Sequence, residues 1–197
     1  MNTDIKSQIL TTLRQDVGGR EGLENLLFYL ESGTDFFTAP SSTLFHGNIF
    51  GGLAEHSWNV YTLLKEKVAR FEVKATPATV AICGLLHDIN KSLFYKRGKK
   101  WVKDNGQWLE KEIWMVDDKF SAGHGEKSVF LLQNFIKLTQ EEMLAIRWHM
   151  ASYEPGIHFN YPSGFPFRQA CKEYPLVTIL GTADLEATHL LEEIYEE

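Results

Sequence analysis

The stretch 85–91, LLHDINK, places a histidine, an aspartate and a lysine directly after the apolar run 80–84. An ionised carboxylate is costly to remove from water unless a cation or several hydrogen-bond donors compensate it, so a buried Asp88 would require a partner. Other residues of metal-binding type lie at long spacing along the chain, one on each of the later predicted helices: His56, His124, His149 and Asp184. Only the fold can bring residues at such spacing together.

Taken one at a time, these residues have simpler interpretations. A single histidine on a helix is more often a hydrogen-bonded core or surface residue, and Asp184 could bond a neighbouring backbone or side-chain group. Lys91 lies one helical turn beyond Asp88, where it could reach a phosphate oxygen and offset developing charge. It could equally be a solvent-facing lysine at a helix C-terminus, which the helix dipole favours.

The periodicity of apolar residues predicts that most of the chain is helical. Up to Asp88, helices are predicted from a cap at Thr3 to Gly18-Gly19, through Leu23–Leu30, from Leu53 past His56, and from Thr76-Pro77 to about Asp88. The later predicted helices begin at His124-Gly125, at the capping box Thr139–Glu142, and at Leu176. Two segments break this pattern. Alternation around Asp104-Asn105-Gly106 predicts a β-hairpin over 94–116, and 155–175 is predicted to be a long loop.

The composition indicates one globular domain. A chain of 197 residues can bury a substantial core, and 44% of its residues are hydrophobic. A net charge of −6 argues against uniform attraction to nucleic acid or anionic membranes, so phosphate recognition would have to be local. The two cysteines form no CxxC motif, and the sequence has neither an export signal nor an apolar run of about 18 residues. We therefore expect a cytoplasmic protein without membrane contact.

The order H…HD…H…H…D resembles that of the HD superfamily of metal-dependent phosphohydrolases. The local sequences are also similar to those of the family: GGLAEHS at His56, LLHDINK at His87-Asp88, GHGEKS at His124, IRWH at His149 and TADLEA at Asp184. The resemblance implies a mainly α fold, in which an HD-domain helical bundle carries a β-hairpin insertion after the HD helix. The expected single domain, 1–197, has packing helices over 1–50, a metal-binding core over 50–190 and the hairpin over 94–116.

The resemblance also implies a binuclear metal centre. The expected ligands of one ion are His56, His87, Asp88 and Asp184. Asp88 would bridge to a second ion, which would be held with His124 and His149. Such ligands suit Mn²⁺, Fe²⁺, Ni²⁺, Co²⁺ or Zn²⁺ better than Mg²⁺. Two ions can lower the pKa of a bridging water and hold the oxygens of a phosphoryl group. The expected catalytic residues are therefore Asp88, which would bridge the two ions, and Lys91, which could reach a phosphate oxygen.

The expected reaction is cleavage of a phosphomonoester or phosphodiester of a nucleotide or nucleic-acid end by metal-activated hydroxide. The partner would then be a phosphorylated small molecule or a nucleic-acid end. The same ligand order also resembles the di-iron oxygenases of this superfamily, which sequence order alone does not separate from the hydrolases. A third hypothesis is a non-catalytic nucleotide-binding module with a structural or regulatory metal site.

Two flanking segments could recognise the substrate. Basic residues follow the HD motif, with Trp101 and Trp108 beside them: Lys96, Arg97, Lys99, Lys100 and Lys103. This mixture suits phosphate contact and base stacking. Alternatively, the lysines protect a hairpin edge while the tryptophans pack on the helices. The aromatic loop 155–175 contains Arg168, which with Lys91 is an expected substrate-binding residue, and it could form a lid or plug the helix ends.

The remaining polar residues have less specific interpretations. We expect surface or lid roles for His46 and His158, and we place His189 on a different helix face from Asp184. The acidic tail, including Glu192 and Glu193, has the pattern of a solvated helix end.

Overall fold

The computed structural model describes residues 3–43, 47–104, 106–153 and 164–192. Its helices are α1 (Thr3–Val17), α2 (Leu23–Phe28), α3 (Gly52–Arg70), α4 (Pro77–Leu86), α5 (His124–Gln133), α6 (Gln140–Trp148), α7 (Gly164–Glu173) and α8 (Pro175–Glu186). Short 3₁₀ or π turns span Tyr29–Gly33, Ile89–Lys91, Ala151–Tyr153 and Ala187–Leu191. Among the described residues, no helix combines the length and apolarity needed to cross a membrane.

Strands β1 (Tyr95–Asp104) and β2 (Gln107–Val116) pair antiparallel between α4 and α5. Gly106 has a positive φ of 86°, a conformation that glycine adopts easily in a tight turn. The predicted fold class, mainly α with a hairpin inserted after the helix that precedes His87, is therefore confirmed. The division into packing helices over 1–50 and a metal-binding core over 50–190 stays a prediction.

Helix α4 lies in the core because it is apolar around its whole circumference. Its residues 79–86 are all buried, and it packs against α1, α3 and α6. Thr76 caps the helix by accepting a hydrogen bond from the Thr79 N–H, and Pro77 occupies the first turn, where no N–H is needed. The helix ends at Leu86, slightly before the predicted end. The chain therefore delivers the two residues that follow directly into the protein interior.

Two glycines allow neighbouring helices to approach closely. At Gly84 on α4, a Cβ atom would lie 2.6 Å from the Cα of Tyr61 on α3. At Gly125 on α5, a Cβ atom would lie 2.7 Å from the carbonyl oxygen of Ile146 on α6. Any side chain at either position would force the helices apart. The absence of a side chain thus sets the spacing of both helix pairs.

Helix α7 corrects the prediction of a long loop over 155–175. The proline and aromatic content of this segment had favoured irregular structure, but Pro166 falls in the first helical turn, where proline is tolerated. Phe167, Ala170 and Cys171 follow at helical spacing and pack against the hydrophobic core. Residues 154–163, which include His158, lie outside the described residues.

The predicted capping box of α6 is confirmed, and a buried ion pair extends it. The Thr139 hydroxyl accepts from the Glu142 N–H at 3.2 Å, while the Glu142 carboxylate accepts from the Thr139 N–H at 2.8 Å. The same buried carboxylate accepts two hydrogen bonds from Arg20, at 2.6 and 2.9 Å, and one from the Thr79 hydroxyl at 3.0 Å. This network joins α6 to α4 and to the segment after α1.

We expect Arg20→Ala to lower the free energy of unfolding by about 3 kcal/mol at pH 7, because Glu142 stays buried without its cation. Burial raises the pKa of Glu142, but the hydrogen bonds from Arg20, Thr139 and Thr79 outweigh it and lower the pKa. Because the folded state lowers the pKa of Glu142, its ionised carboxylate contributes to stability at pH values above the ordinary glutamate pKa. This contribution is lost as the pH falls through the lowered pKa. The difference between variant and wild type should therefore shrink below about pH 4.3. Chemical denaturation at pH 7 and pH 3.5 measures both values, and an equal difference at the two pH values would contradict the expectation.

Candidate metal centre

Six residues that lie far apart in the sequence meet in one cluster. Their side-chain nitrogens and oxygens form overlapping groups of three whose atoms lie within 4.8 Å of one another: His56, His87, Asp88, His124, His149 and Asp184. Each helix from α3 to α6, together with α8, contributes at least one of them, within the helix or just past its end. These are the six ligands predicted from the sequence, and the fold brings all of them together. Their binding of metal ions stays a prediction.

Asp88 lies at the middle of the cluster with a side chain that is 2% exposed. Its Oδ1 is 2.7 Å from Nε2 of His124 and 3.3 Å from Nε2 of His149. Its Oδ2 is 2.7 Å from Nζ of Lys91 and 3.5 Å from Nε2 of His56. Burial raises the pKa of Asp88, but Lys91 and the histidines outweigh it and hold the pKa well below its usual range. The ionised carboxylate therefore directs one oxygen to each half of the cluster, as a bridging ligand would.

Asp184 closes one half of the cluster from α8. Its Oδ1 lies 3.2 Å from Nε2 of His56 and 4.0 Å from Nε2 of His87, and these two nitrogens are 3.3 Å apart. Burial raises the pKa of Asp184, but its hydrogen bond with His56 and the nearby imidazoles outweigh this and lower the pKa below its usual range. Two imidazoles and an ionised carboxylate thus converge here.

In two of the histidines, Nδ1, the ring nitrogen that faces away from the cluster, donates a hydrogen bond to a backbone carbonyl. Nδ1 of His87 donates to the Gly84 carbonyl at 3.0 Å, and Nδ1 of His149 donates to the Ile146 carbonyl at 2.6 Å. A neutral imidazole carries one proton, so both Nε2 atoms present lone pairs to the cluster. The buried Nε2 of His149 receives no hydrogen bond from the part of the chain that the structure describes.

The lone pairs of His87 and His149 thus converge with two ionised carboxylates, an arrangement that suits a bound cation. Imidazole nitrogens and carboxylate oxygens together suit a divalent transition metal. Protons compete for the same atoms: burial lowers the pKa of His56, but Asp184 and Glu192 outweigh it and raise the pKa to about 10. For His87 burial prevails and lowers the pKa to about 3. The residues present therefore fit a metal centre.

Comparison with known proteins gives the family. A family model described as HD domain matches residues 53–179, nearly two-thirds of the chain. The chain belongs to the HD domain family. This family consists largely of metal-dependent hydrolases, which agrees with the chemistry of the cluster. No curated protein and no solved structure matches the chain. Asp184 lies five residues beyond the matched segment. The distance of its carboxylate from His56 is what places it in the cluster.

Lys91 is buried beside the cluster. The alternative interpretation, a lysine that faces solvent at the end of a helix, is therefore wrong. The 3₁₀ turn Ile89–Lys91 folds its side chain back onto Asp88, where Nζ lies 2.7 Å from Oδ2. Burial lowers the pKa of Lys91, but Asp88 outweighs it and raises the pKa above its usual range. Lys91 is therefore a fixed cation beside the proposed bridging carboxylate.

Sequence reasoning missed two partners of the histidines. The Asn90 amide nitrogen lies 3.0 Å from Nδ1 of His124, and its Oδ1 accepts from the Ser128 hydroxyl at 2.8 Å. The i, i+4 spacing of His124 and Ser128 could have indicated a shared partner. The other partner is Glu192, whose Oε1 lies 2.9 Å from Nδ1 of His56. This buried contact corrects the prediction of a solvated tail at this position, and no periodicity could have revealed it.

Of the remaining residues singled out in the sequence, Arg168 and His189 lie away from the cluster. His46 and His158 are outside the described residues. His189 contacts the Tyr153 hydroxyl at 3.2 Å instead of the cluster. Arg168 is exposed on α7 and lines a surface depression of about 560 Å³, to which none of the cluster residues contributes. Its substrate-binding role stays a prediction.

We expect Gly84→Ala to lower the free energy of unfolding by at least about 2 kcal/mol and to reduce metal content, because the added Cβ would push α3 and His56 away from α4. Chemical denaturation and elemental analysis after dialysis measure both effects. Gly19→Ala is the matched control, since a Cβ at Gly19 would meet no other atom within 4 Å. Wild-type stability of Gly84→Ala would contradict the proposed close contact.

We expect Asp88→Ala to lower metal affinity at least about tenfold, because the shared carboxylate is the proposed bridge between two ions. Elemental analysis of metal-loaded, desalted protein gives the number of ions per chain. His189→Ala removes a histidine outside the cluster and should keep the wild-type content. Retention of two ions by Asp88→Ala would rule out the bridging role.

Proposed function

We propose that this HD domain is a metal-dependent phosphohydrolase that cleaves a phosphomonoester or phosphodiester of a nucleotide or nucleic-acid end. Asp88 carries this proposal, because its buried, ionised carboxylate is shared by two groups of histidines and is bonded to a lysine. A divalent ion held by such a cluster lowers the pKa of bound water and neutralises charge on phosphoryl oxygens.

Lys91 supports an anionic substrate. Its ammonium group is fixed at 2.7 Å from Asp88, so it is held beside the atoms that would bind the metal. A positioned cation there can donate to a phosphoryl oxygen and offset the charge that develops during attack. When a substrate enters, Lys91 can exchange its bond with Asp88 for one with the phosphate.

The hairpin supports a nucleic-acid end as the substrate. It carries six basic and three acidic residues in a chain with a net charge of −6. Trp101 and Trp108 are 61% and 64% exposed, so the alternative that they pack on the helices is wrong. Trp101 pairs with Glu110 and Trp108 pairs with Lys103 across the two strands. Because Trp101 and Lys103 are two residues apart in β1, both tryptophans lie on the same face of the hairpin. Exposed aromatic rings beside lysines are suited to stacking on bases while the lysines contact the backbone.

Hydrolysis of bis-p-nitrophenyl phosphate and a nucleotide panel with Mn²⁺, Ni²⁺, Co²⁺ or Mg²⁺ tests the proposal. We expect turnover that requires both a transition metal and Asp88. Lys91→Ala should lower kcat by about a hundredfold, because it removes a donor to the transition state, and should keep its metal. Lys65→Ala, which removes an exposed lysine of α3, is the matched control.

Absence of turnover with every metal would overturn the hydrolase proposal. Oxygen-dependent consumption of a substrate by the iron-loaded protein would then establish the di-iron oxygenase alternative. Nucleotide binding without any turnover would establish the binding module. Unchanged kinetics of Lys91→Ala would remove Lys91 from the mechanism without affecting the metal centre.

A further inference from the structure

Glu192 lies just past the π turn Ala187–Leu191 and contacts His56 at the ring nitrogen that faces away from the cluster. Its Oε1 is 2.9 Å from Nδ1 of His56 and accepts from Nδ2 of Asn59 at 3.3 Å. The side chain of Glu192 is only 4% exposed, and that of His56 is fully buried. Asn59 lies one turn after His56 on α3, so a single carboxylate oxygen holds two residues on one side of that helix.

We infer that Glu192 is a positioning residue, which fixes the ring of His56 with Nε2 directed at the metal centre. This inference rests on the metal centre of the proposed function. A neutral imidazole that donates from Nδ1 has its lone pair on Nε2, the atom that faces His87 and Asp184. A carboxylate partner fixes this tautomer, and it also makes the nitrogen a stronger ligand.

The position of His56 in its helix explains why it needs such a partner. His87 and His149 follow the last residues of α4 and α6, where the carbonyls of the final turn are free to accept from Nδ1. His56 is the fifth residue of α3, and the carbonyls of the preceding residues are engaged in the helix itself. Its acceptor must therefore come from another segment of the chain, and Glu192 supplies it.

A merely structural role for Glu192 can be tested separately, because a second ion pair ties the same segment to α3. Nζ of Lys67 on α3 lies 2.7 Å from Oε1 of Glu186 at the end of α8. Glu186→Ala removes this tie without touching His56. It is therefore the matched control for Glu192→Ala: both variants lose a carboxylate that holds the C-terminal helix to α3, but only one loses the partner of His56.

The first measurement is Zn²⁺ and Mn²⁺ affinity by competition with a chelator, for wild type, Glu192→Ala, Glu192→Gln and Glu186→Ala. We expect Glu192→Ala to bind 10- to 100-fold more weakly, the usual effect of removing a partner of a ligand. Glu192→Gln should recover part of this loss, because its amide oxygen can still accept from Nδ1–H. Glu186→Ala should bind as wild type does.

The second measurement is the tautomer of His56 in the Zn²⁺-loaded protein, from long-range ¹H–¹⁵N correlation spectra. We expect a protonated Nδ1 and a metal-bound Nε2 in wild type and in Glu192→Gln. Glu192→Ala should alter the Nδ1 signal even at saturating Zn²⁺. Glu186→Ala should leave it unchanged, whatever its thermal stability.

Wild-type affinity of Glu192→Ala would overturn the inference while leaving the proposed function intact. Equal losses in Glu192→Ala and Glu186→Ala would overturn it as well, because both would then reflect loosening of the C-terminal segment. If Glu192→Ala fails to fold, Glu192→Leu provides the same comparison, because its side chain fills similar space but cannot accept from Nδ1–H of His56. Failure of the wild-type protein to bind any metal would overturn the metal centre and the inference together.

Discussion

The buried charge of Asp88 is the constraint on which the rest of the structure depends. An ionised carboxylate in the protein interior is tolerated only when cations or donors surround it. Lys91 supplies one cation from the adjacent turn, but the other partners belong to helices that are distant in sequence. The ends of these helices must therefore meet at one point. The apolar contacts of α4 lead the chain to that point, and Gly84 and Gly125 let the neighbouring backbones come close enough to place the imidazoles.

This arrangement couples stability to function. In the absence of a metal ion, Lys91 and protonated His56 offset the charges of Asp88 and Asp184, and the surrounding apolar core excludes water from the cluster. Helix α4 provides much of that core, because its residues 79–86 are buried on every side. A metal ion would add to the stability of the folded state by binding only to the assembled cluster. Bound ligand stabilises a folded state by about 2.7 kcal/mol at a hundred times its Kd.

Sequence reasoning succeeded where the interactions are local. The capping box at Thr139, the start of α4 at Thr76 and the hairpin turn are each specified by a few consecutive residues. The six cluster residues could be selected by type and order, but not placed. Helix α7 was missed because Pro166 and the surrounding aromatic residues are typical of a loop, and only the packing of Phe167, Ala170 and Cys171 on the core distinguishes it from one. The partner of His56 was missed because it lies 136 residues away.

The rings of the cluster histidines are oriented by two kinds of partner, and the partner determines at which stage of folding each ring is oriented. His87 and His149 donate to carbonyls of their own helices, so their rings are oriented as soon as those helices exist. His56 and His124 are held by residues of other segments, Glu192 and Asn90. These rings gain their orientation only when the segments have packed. Metal binding therefore reports completed tertiary structure, and each tenfold change in affinity alters the metal-dependent stability by about 1.4 kcal/mol.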